Sequence, residues 1–287
     1  MKHFFLVAAV AISTTGFAQK VSNKLTFQKG QKLEMVSKVN SVISMEMMGQ
    51  TMDTKVDATV TRLFDVNDVT NGSASVEHKM KRMQMSMEAP MAGSQSFDSD
   101  NESDMKGDAG KAMEKALKNK YSMTIDPSGK ITAVKADDDN PNKAEKAEGG
   151  DMMAGAMSGM IEGMELPKVG GVSEFKILPD AGATKGASWT DTTGGNKAVY
   201  TVTDITDADI LIDYTEEGTT ERKQEANGME LTISSKDKTT GKITLDKKSG
   251  LLKEKTGTTT SEGTMDMMGQ TIPMTTKVTK VITVKGL

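Results

Sequence analysis

The stretch Leu33–Gln50 reads LEMVSKVNSVISMEMMGQ, and its odd positions up to Met47 are apolar except for two serines. Most of the even positions between them are polar. Alternation with a period of two is typical of a β-strand that is buried on one face. Gly49-Gln50 interrupts the alternation, and a second one follows over residues 56–66. The stretch therefore predicts a long β-hairpin with Met48–Thr51 near its tip.

The next strand contains a change of face. Asn71-Gly72 is a tight-turn signal, and apolar residues alternate again from Val76 onward. Met80 has one parity, whereas the apolar residues that follow from Met83 have the other. A β-bulge near Lys81-Arg82 reconciles the two, because an extra residue returns later side chains to the original face.

The middle of the chain is less regular. It turns polar and acidic beyond Pro90 through Asp104, which predicts a loop, and Asp108 can cap a short helix. Pro127-Ser128-Gly129 predicts another hairpin turn. Residues 136–150 are charged and predict a mobile loop. Apolar side chains at helical spacing follow and predict a second helix, at Met152, Met153, Met157, Met160, Ile161 and Met164.

The last third of the chain is rich in threonine and alternates over several short stretches, including residues 199–205, 208–214 and 278–284. The fold class that follows is mainly β (α+β). We predict a curved, antiparallel, meandering sheet or half-barrel with two short accessory helices, in one β-rich domain over residues 19–287.

One segment of the chain recurs. Residues 45–52, MEMMGQTM, return as MDMMGQTI at residues 265–272. Duplication predicts that both are hairpin tips, and that two related lobes, 24–135 and 170–287, are joined by residues 136–169. Coincidence in a chain with 24 methionines is the alternative.

The N-terminus predicts export. A basic start precedes a short apolar run, Phe4–Ile12, and small residues lead to Ala18. This is the pattern of a signal peptide over residues 1–18, cut between Ala18 and Gln19. The run is shorter than the ~20 residues of a spanning helix. We expect a periplasmic or extracellular protein without a transmembrane segment.

Composition excludes several kinds of function. There is no cysteine, so disulfides and thiol catalysis are excluded. The formal net charge is −4 with both signs interspersed, which gives no electrostatic basis for binding nucleic acid. His78 is the only histidine beyond the predicted signal peptide, and no hydrolase, P-loop or zinc-protease motif is present. We predict that the protein is not an enzyme and uses no cofactor.

The high content of methionine is the unusual feature of this sequence, and it suggests three hypotheses about function. Flexible thioether side chains adapt to apolar partners, so the second helix could be a lid over a lipid or another apolar small molecule. Soft thioethers also bind Cu(I). The candidate copper ligands are His78, Met80, Met83, Met85 and Met87. A structural or surface-interaction role, in which these residues only form a core, is the third hypothesis.

Several short motifs together resemble a family of uncharacterised secreted proteins from Bacteroidetes. They are the Ala18-Gln19 junction, Phe27–Gln31, the Met-Gly-Gln tips, Met123–Lys130 and Gly186–Trp189. The resemblance implies export, but the family has no established activity, so no catalytic residues can be carried over from it. Long curved sheets of this kind are also similar to the β-cradles of periplasmic lipoprotein carriers, which is an analogy of architecture.

Overall fold

The chain forms one large antiparallel sheet. The computed structural model describes residues 20–47, 49–90, 93–118, 120–136, 166–192, 195–226, 229–267 and 269–287. Within these residues there are two short helices, α1 (Glu102–Lys106) and α2 (Asp108–Leu117). The strands are β1 (Lys32–Met47), β2 (Gln50–Thr70), β3 (Ser73–Ala89), β4 (Gly93–Asp98), β5 (Lys120–Ile125), β6 (Ile131–Ala136), β7 (Ser188–Asp191), β8 (Lys197–Ile205), β9 (Asp209–Ala226), β10 (Met229–Asp246), β11 (Leu252–Met267) and β12 (Gln270–Gly286).

The strand order is β6-β5-β3-β2-β1-β12-β11-β10-β9-β8-β7, with β4 paired to the far end of β3. Most neighbours are consecutive in sequence, which confirms the predicted meander and fold class. There are two exceptions: β5 pairs with β3, and at the centre the first and last strands pair, where Leu33 faces Gly286. The sheet is open and curved, and alternate residues point to a core face and an outer face.

The predicted hairpin tips are confirmed. Met47 pairs with Gln50, and Met267 pairs with Gln270, so each copy of the repeated segment lies at a tip. Because β1 pairs with β12, the two tips are neighbours at the same edge of the sheet. The paired ends of β9 and β10, Ala226 and Met229, lie at this edge too, and we call it the tip edge. Strands from both halves of the chain belong to the one sheet.

The predicted bulge is confirmed at Lys81. Thr61 faces Arg82, whereas the next residue of β2, Arg62, faces Met80, so Lys81 has no opposite residue. The extra residue keeps the side chains of β3 on the core face on both sides of the bulge. Its own side chain points outward, where Nζ donates a hydrogen bond to Glu34 at 2.7 Å.

The loop predicted between Pro90 and Asp104 is wrong, because this stretch contains β4 and α1. β4 is polar and buries only Phe97, so its sequence does not show the apolar–polar alternation that predicts a strand. Backbone pairing with β3 stabilises it. The side chain of Asn101 caps α1 by accepting from the backbone N–H of Ser103. Asp108, predicted as a cap, is the first residue of α2.

Two irregular segments cover the lower part of the core face, away from the tip edge. Residues 20–31 and 166–187 are joined to each other by a bridge between Val21 and Ala183. Phe175 packs edge-on against Phe27 and Phe64, with ring centroids 5.6 and 5.2 Å apart. These contacts belong to the larger apolar cluster of the molecule, the base cluster.

Candidate functional site

Methionine is unevenly distributed over the core face. The base cluster is built mainly from Phe, Ile, Leu and Val, and among the described residues its only buried methionines are Met35 and Met123. A second, upper cluster lies nearer the tip edge, and half of its buried residues are methionine. Its members are Val39, Val56, Ala58, Val60, Met80, Met83, Met85, Met87, Phe97 and Met113. The upper part of the core face therefore has the softer, more adaptable surface.

A band of apolar side chains crosses the core face at the tip edge. Its members lie on five adjacent strands, β2, β1, β12, β11 and β10, and we call them the methionine band: Met52, Met45, Met274, Ile272, Met265 and Ile233. Met45 faces both Met52 and Met274, while Met265 faces both Ile272 and Ile233. Ile272 is buried and the other five are half-buried. The repeated segment thus supplies four of the six.

The residues proposed as copper ligands lie together on the core face of β3. Met83, Met85 and Met87 are at most 4% exposed, and Met80 is 9% exposed. They pack in the upper cluster with Phe97 of β4 and Met113 of α2. Their thioethers are core contacts in this structure. The copper hypothesis stays a prediction.

The residues proposed as a lid, Met152, Met153, Met157, Met160, Ile161 and Met164, lie outside the described residues, as do residues 1–19. The lid stays a prediction from helical spacing, and so does the signal peptide. Within the described ranges, no helix is long and apolar enough to cross a membrane. In the same ranges, no three His, Asp or Glu residues are grouped so as to hold a metal ion.

Sequence reasoning missed a buried ion pair between the two clusters. Arg62 of β2 is 2% exposed, and its guanidinium donates to both carboxylate oxygens of Glu174, at 3.1 and 2.7 Å. Nη2 also contacts the Sδ atom of Met35 at 2.8 Å, and the guanidinium lies 5.6 Å from the ring centre of Phe64. Arg62 interrupts an otherwise apolar parity between Val60 and Phe64, which is the signal that could have found it.

His78 is buried beside this pair. Its ring stacks on Tyr121 with centroids 4.4 Å apart and lies 5.1 Å from the ring of Phe64. Neither ring nitrogen has a hydrogen-bond partner in the described part of the chain. Burial, together with the charge of Arg62, lowers the pKa of His78 to about 3. Burial likewise raises the pKa of Tyr121. The imidazole is therefore neutral and closed to substrates.

Over β7–β11 the core face carries aromatic and polar groups. Trp189, Tyr200 and Tyr214 stack across three strands, with centroids 5.3 and 5.9 Å apart. The Tyr214 hydroxyl lies over Gly257, where a Cβ atom would come within 2.3 Å of it. Nearer the tip edge, Asp237 accepts hydrogen bonds from the hydroxyls of two neighbours, Thr220 and Ser235.

Two open clefts lie on the outer side of the sheet, and both are polar. One of about 570 Å³ is lined mainly by outer-face residues of β9, β10 and β11, such as Glu217, Lys236 and Lys238. The other, of about 440 Å³, lies between β2, β3 and α1 and includes Asp57 and Asp98. Most of the side chains that line the two clefts are charged or carry hydroxyl or amide groups, which suits a lipid chain less well than the core face does.

Comparisons with solved structures give a likeness of fold. A structure concerning lipid–protein interactions in lipovitellin matches with a TM-score of 0.51 and 9% identity over 91% of this chain. The chain spans only 25% of that lipovitellin chain. An outer membrane channel from Pseudomonas putida F1 is 8% identical, with 91% of this chain and 98% of the channel covered; its TM-score of 0.26 carries no argument.

Sequence comparison identifies a family. No curated protein matches the chain. A family of unknown function, DUF6263, matches residues 71–252, from the turn before β3 to the start of β11. This is more than half of the 287 residues. The chain therefore belongs to the DUF6263 family.

Proposed function

We propose that this protein is a non-enzymatic carrier of an apolar or lipid-like ligand, which lies on the core face at the tip edge. The observation that carries the proposal is the methionine band. It is a continuous apolar strip over five strands, formed by four adaptable methionines and two isoleucines, and all of these except Ile272 are half-buried. Covering the apolar surface that remains exposed contributes about 25 cal/mol per Å².

The distribution of polar groups supports a binding role over catalysis. His78 is the only histidine among the described residues, and it is fully buried between two aromatic rings. A general base must reach a substrate proton, directly or through one water molecule. His78 does not meet this requirement.

The likeness to lipovitellin supports the proposal only at the level of architecture. That structure concerns lipid–protein interactions, and the likeness covers 25% of its chain with a TM-score of 0.51. An open, curved sheet leaves a core face that a ligand can cover. At 9% identity no binding residue is carried over.

We further propose that the protein works after export, in the periplasm or outside the cell. The basic, apolar and small-residue pattern over residues 1–18 supports this. The intact mass of the protein purified from its own cells tests it. A mass that begins at Gln19 is expected, and a mass that retains residues 1–18 contradicts it.

Ligand binding is tested with the protein purified from its own host. Native mass spectrometry is expected to show added mass that is lost on delipidation, and the delipidated protein should bind the neutral probe N-phenyl-1-naphthylamine. The triple variant Met45→Gln, Met265→Gln, Met274→Gln places polar amides in the band and should weaken probe binding by about tenfold or more.

The matched control is Val42→Gln, on the same strand as Met45 but on the outer face, where Val42 is 37% exposed. This variant should bind the probe as the wild type does. A bare chain mass together with no probe binding contradicts the carrier proposal and favours a structural or surface-interaction role.

A further inference from the structure

The methionines whose side chains the structure describes fall into two classes of exposure. Of these, seven are buried and at most 9% exposed: Met35, Met80, Met83, Met85, Met87, Met113 and Met123. The other five are half-buried: Met45, Met52, Met105, Met265 and Met274. Four of the five belong to the methionine band, and the fifth, Met105, lies on α1. Partly exposed thioethers are thus concentrated at the tip edge.

The band methionines are neighbours across the strands. Met45 of β1 faces Met52 of β2 on one side and Met274 of β12 on the other. Residues that are directly opposite have Cβ atoms about 4.5–5.5 Å apart, so the three side chains lie next to one another. Met265 of β11 faces Ile272 and is therefore a diagonal neighbour of Met274. A polar group placed on one of these sulfur atoms lies within the apolar strip.

Thioether sulfur is the readily oxidised group of this chain, because the sequence contains 24 methionines and no cysteine. Hydrogen peroxide transfers one oxygen atom to the sulfur: the O–O bond breaks, an S=O bond forms, the sulfur loses two electrons and water leaves. The product, methionine sulfoxide, is polar where methionine is apolar. The peroxide must reach the sulfur atom, and a buried methionine permits this only when the structure opens locally.

We infer that the methionine band is an oxidation site, at which a peroxide converts the thioethers of Met45, Met52, Met265 and Met274 to sulfoxides and so releases the apolar ligand. The release rests on the proposed carrier function. A ligand that covers a sulfoxide removes water from its oxygen and offers no hydrogen bond in return, which weakens binding. A dithiol acting through methionine sulfoxide reductases reverses the step: the dithiol becomes a disulfide and the oxygen leaves as water.

The fold is expected to survive oxidation of the band. The strands that carry it are held by backbone pairing along their length, in which the sulfur atoms take no part. A half-buried sulfoxide can also turn its oxygen toward water. In the upper cluster Met83 and Met85 are at most 3% exposed, so a sulfoxide there would be a polar group buried in the core. Oxidation of the band and damage to the core are therefore separate events.

Treatment of the delipidated protein with hydrogen peroxide tests the inference. Peptide mass spectrometry over a time course measures the added oxygen at each methionine. The band methionines should react at least about tenfold faster than Met83, Met85 and Met87. Once they have reacted, the affinity for N-phenyl-1-naphthylamine should have fallen by about tenfold or more, while urea unfolding stays cooperative. Dithiothreitol with methionine sulfoxide reductases for both sulfoxide epimers should restore the affinity.

Leucine at the four band positions makes a variant that peroxide should not affect: Met45→Leu, Met52→Leu, Met265→Leu, Met274→Leu. Leucine conserves volume and apolar character, so this variant should bind the probe before and after peroxide. The matched control is Met105→Leu, the same exchange at the half-buried methionine outside the band, and it should lose affinity as the wild type does. If the fourfold variant does not fold, the pair Met45→Leu, Met274→Leu should lose less affinity than the wild type.

The outcomes separate the two proposals. No probe binding before peroxide overturns the carrier proposal and the release of ligand with it. Unchanged binding after the band methionines have been oxidised overturns the release and leaves the carrier proposal standing. Equal rates for band and core methionines, or a cooperative transition that is lost together with the affinity, show general damage and overturn the oxidation site. A fourfold leucine variant that responds to peroxide as the wild type does overturns it too, because the sensitive residue then lies elsewhere.

Discussion

Arg62 and Glu174 are 112 residues apart in sequence, yet the guanidinium of one donates two hydrogen bonds to the carboxylate of the other. The pair joins the middle of the sheet to the segment that covers its base. Arg62 is almost completely buried, whereas the side chain of Glu174 is one-third exposed. The pair therefore fixes residues 166–187 against the core face at its upper margin.

Glu174→Gln should destabilise the protein by about 2–3 kcal/mol, because it leaves a buried guanidinium without a counter-charge. The partial exposure of Glu174 keeps the loss below that of a fully buried pair. Urea unfolding measures it. The double variant Arg62→Met, Glu174→Gln should recover most of the loss, since a methionine suits the site between Met35 and Met80.

The control for this prediction is Asp204→Asn, which breaks an exposed ion pair with Lys185. Exposed pairs contribute little, so no measurable change is expected. A double variant that is no more stable than Glu174→Gln alone would show that the charge of Arg62 is not the cause.

His78 should make the protein less stable as the pH falls. Its pKa is near the ordinary 6.5 in the unfolded chain and about 3 in the fold, so the unfolded state binds the proton first. The stability is complete above pH 6.5 and declines toward pH 3. From pH 7 to pH 5 the free energy of unfolding should drop by about 2 kcal/mol.

His78→Phe should abolish most of this pH dependence, because phenylalanine keeps the stacking on Tyr121 and carries no titrating group. Comparing urea midpoints at pH 7, 6 and 5 for the two proteins isolates the histidine, since most carboxylates remain ionised in this range. Parallel pH profiles for wild type and variant would contradict the assignment.

Deletion of Lys81 should be tolerated, because it removes the extra residue and makes the alternation of β3 continuous, with Met83, Met85 and Met87 still on the core face. Lys81→Ala keeps the bulge and should also have little effect. In both variants Glu34 retains a second lysine partner, Lys285, at 2.9 Å. Urea unfolding measures both variants, and loss of the cooperative transition in the deletion variant would refute this reading of the bulge.

Replacement of Met83, Met85 and Met87 by leucine tests the copper hypothesis. Leucine conserves volume, so the triple variant should fold, with a cost below about 1.5 kcal/mol per site. Because these thioethers are core contacts, we expect neither protein to take Cu(I) from a competing chelator. An affinity for Cu(I) that the wild type has and the variant lacks would establish the copper alternative.

The local elements of this fold could be predicted from the sequence, because alternation and turn residues are local signals. The tip at Gly49, the turn at Asn71-Gly72 and the bulge at Lys81 all follow from parity. β4 could not be predicted, because its sequence has no alternation of apolar and polar residues. It is stabilised by backbone pairing with β3 and by one buried phenylalanine. The two irregular segments over the base cluster, 20–31 and 166–187, have no periodic spacing of apolar residues from which their structure could be predicted.

The candidate site was visible in the sequence in part. Methionine richness pointed to soft apolar surfaces, but not to the band, which exists only because β1 pairs with β12 and brings the two repeated tips together. The polar residues at core-face positions, Arg62, His78 and Lys280, carry a readable signal. Each interrupts an apolar parity, and that interruption is a better guide to buried chemistry than any motif in this chain.

The pairing of β1 with β12 also has a consequence for how the chain folds. Apart from β3 with β5, every other pair among the described strands joins consecutive strands, whereas this one joins the first strand to the last. Contacts of such long sequence separation close slowly, because the chain entropy of the whole loop is lost first. During synthesis β1 can pair with β2 early, but β12 is made last. Until then the other edge of β1, which is rich in Val and Ile, is unpaired and prone to aggregation. We therefore expect the centre of the sheet to form last.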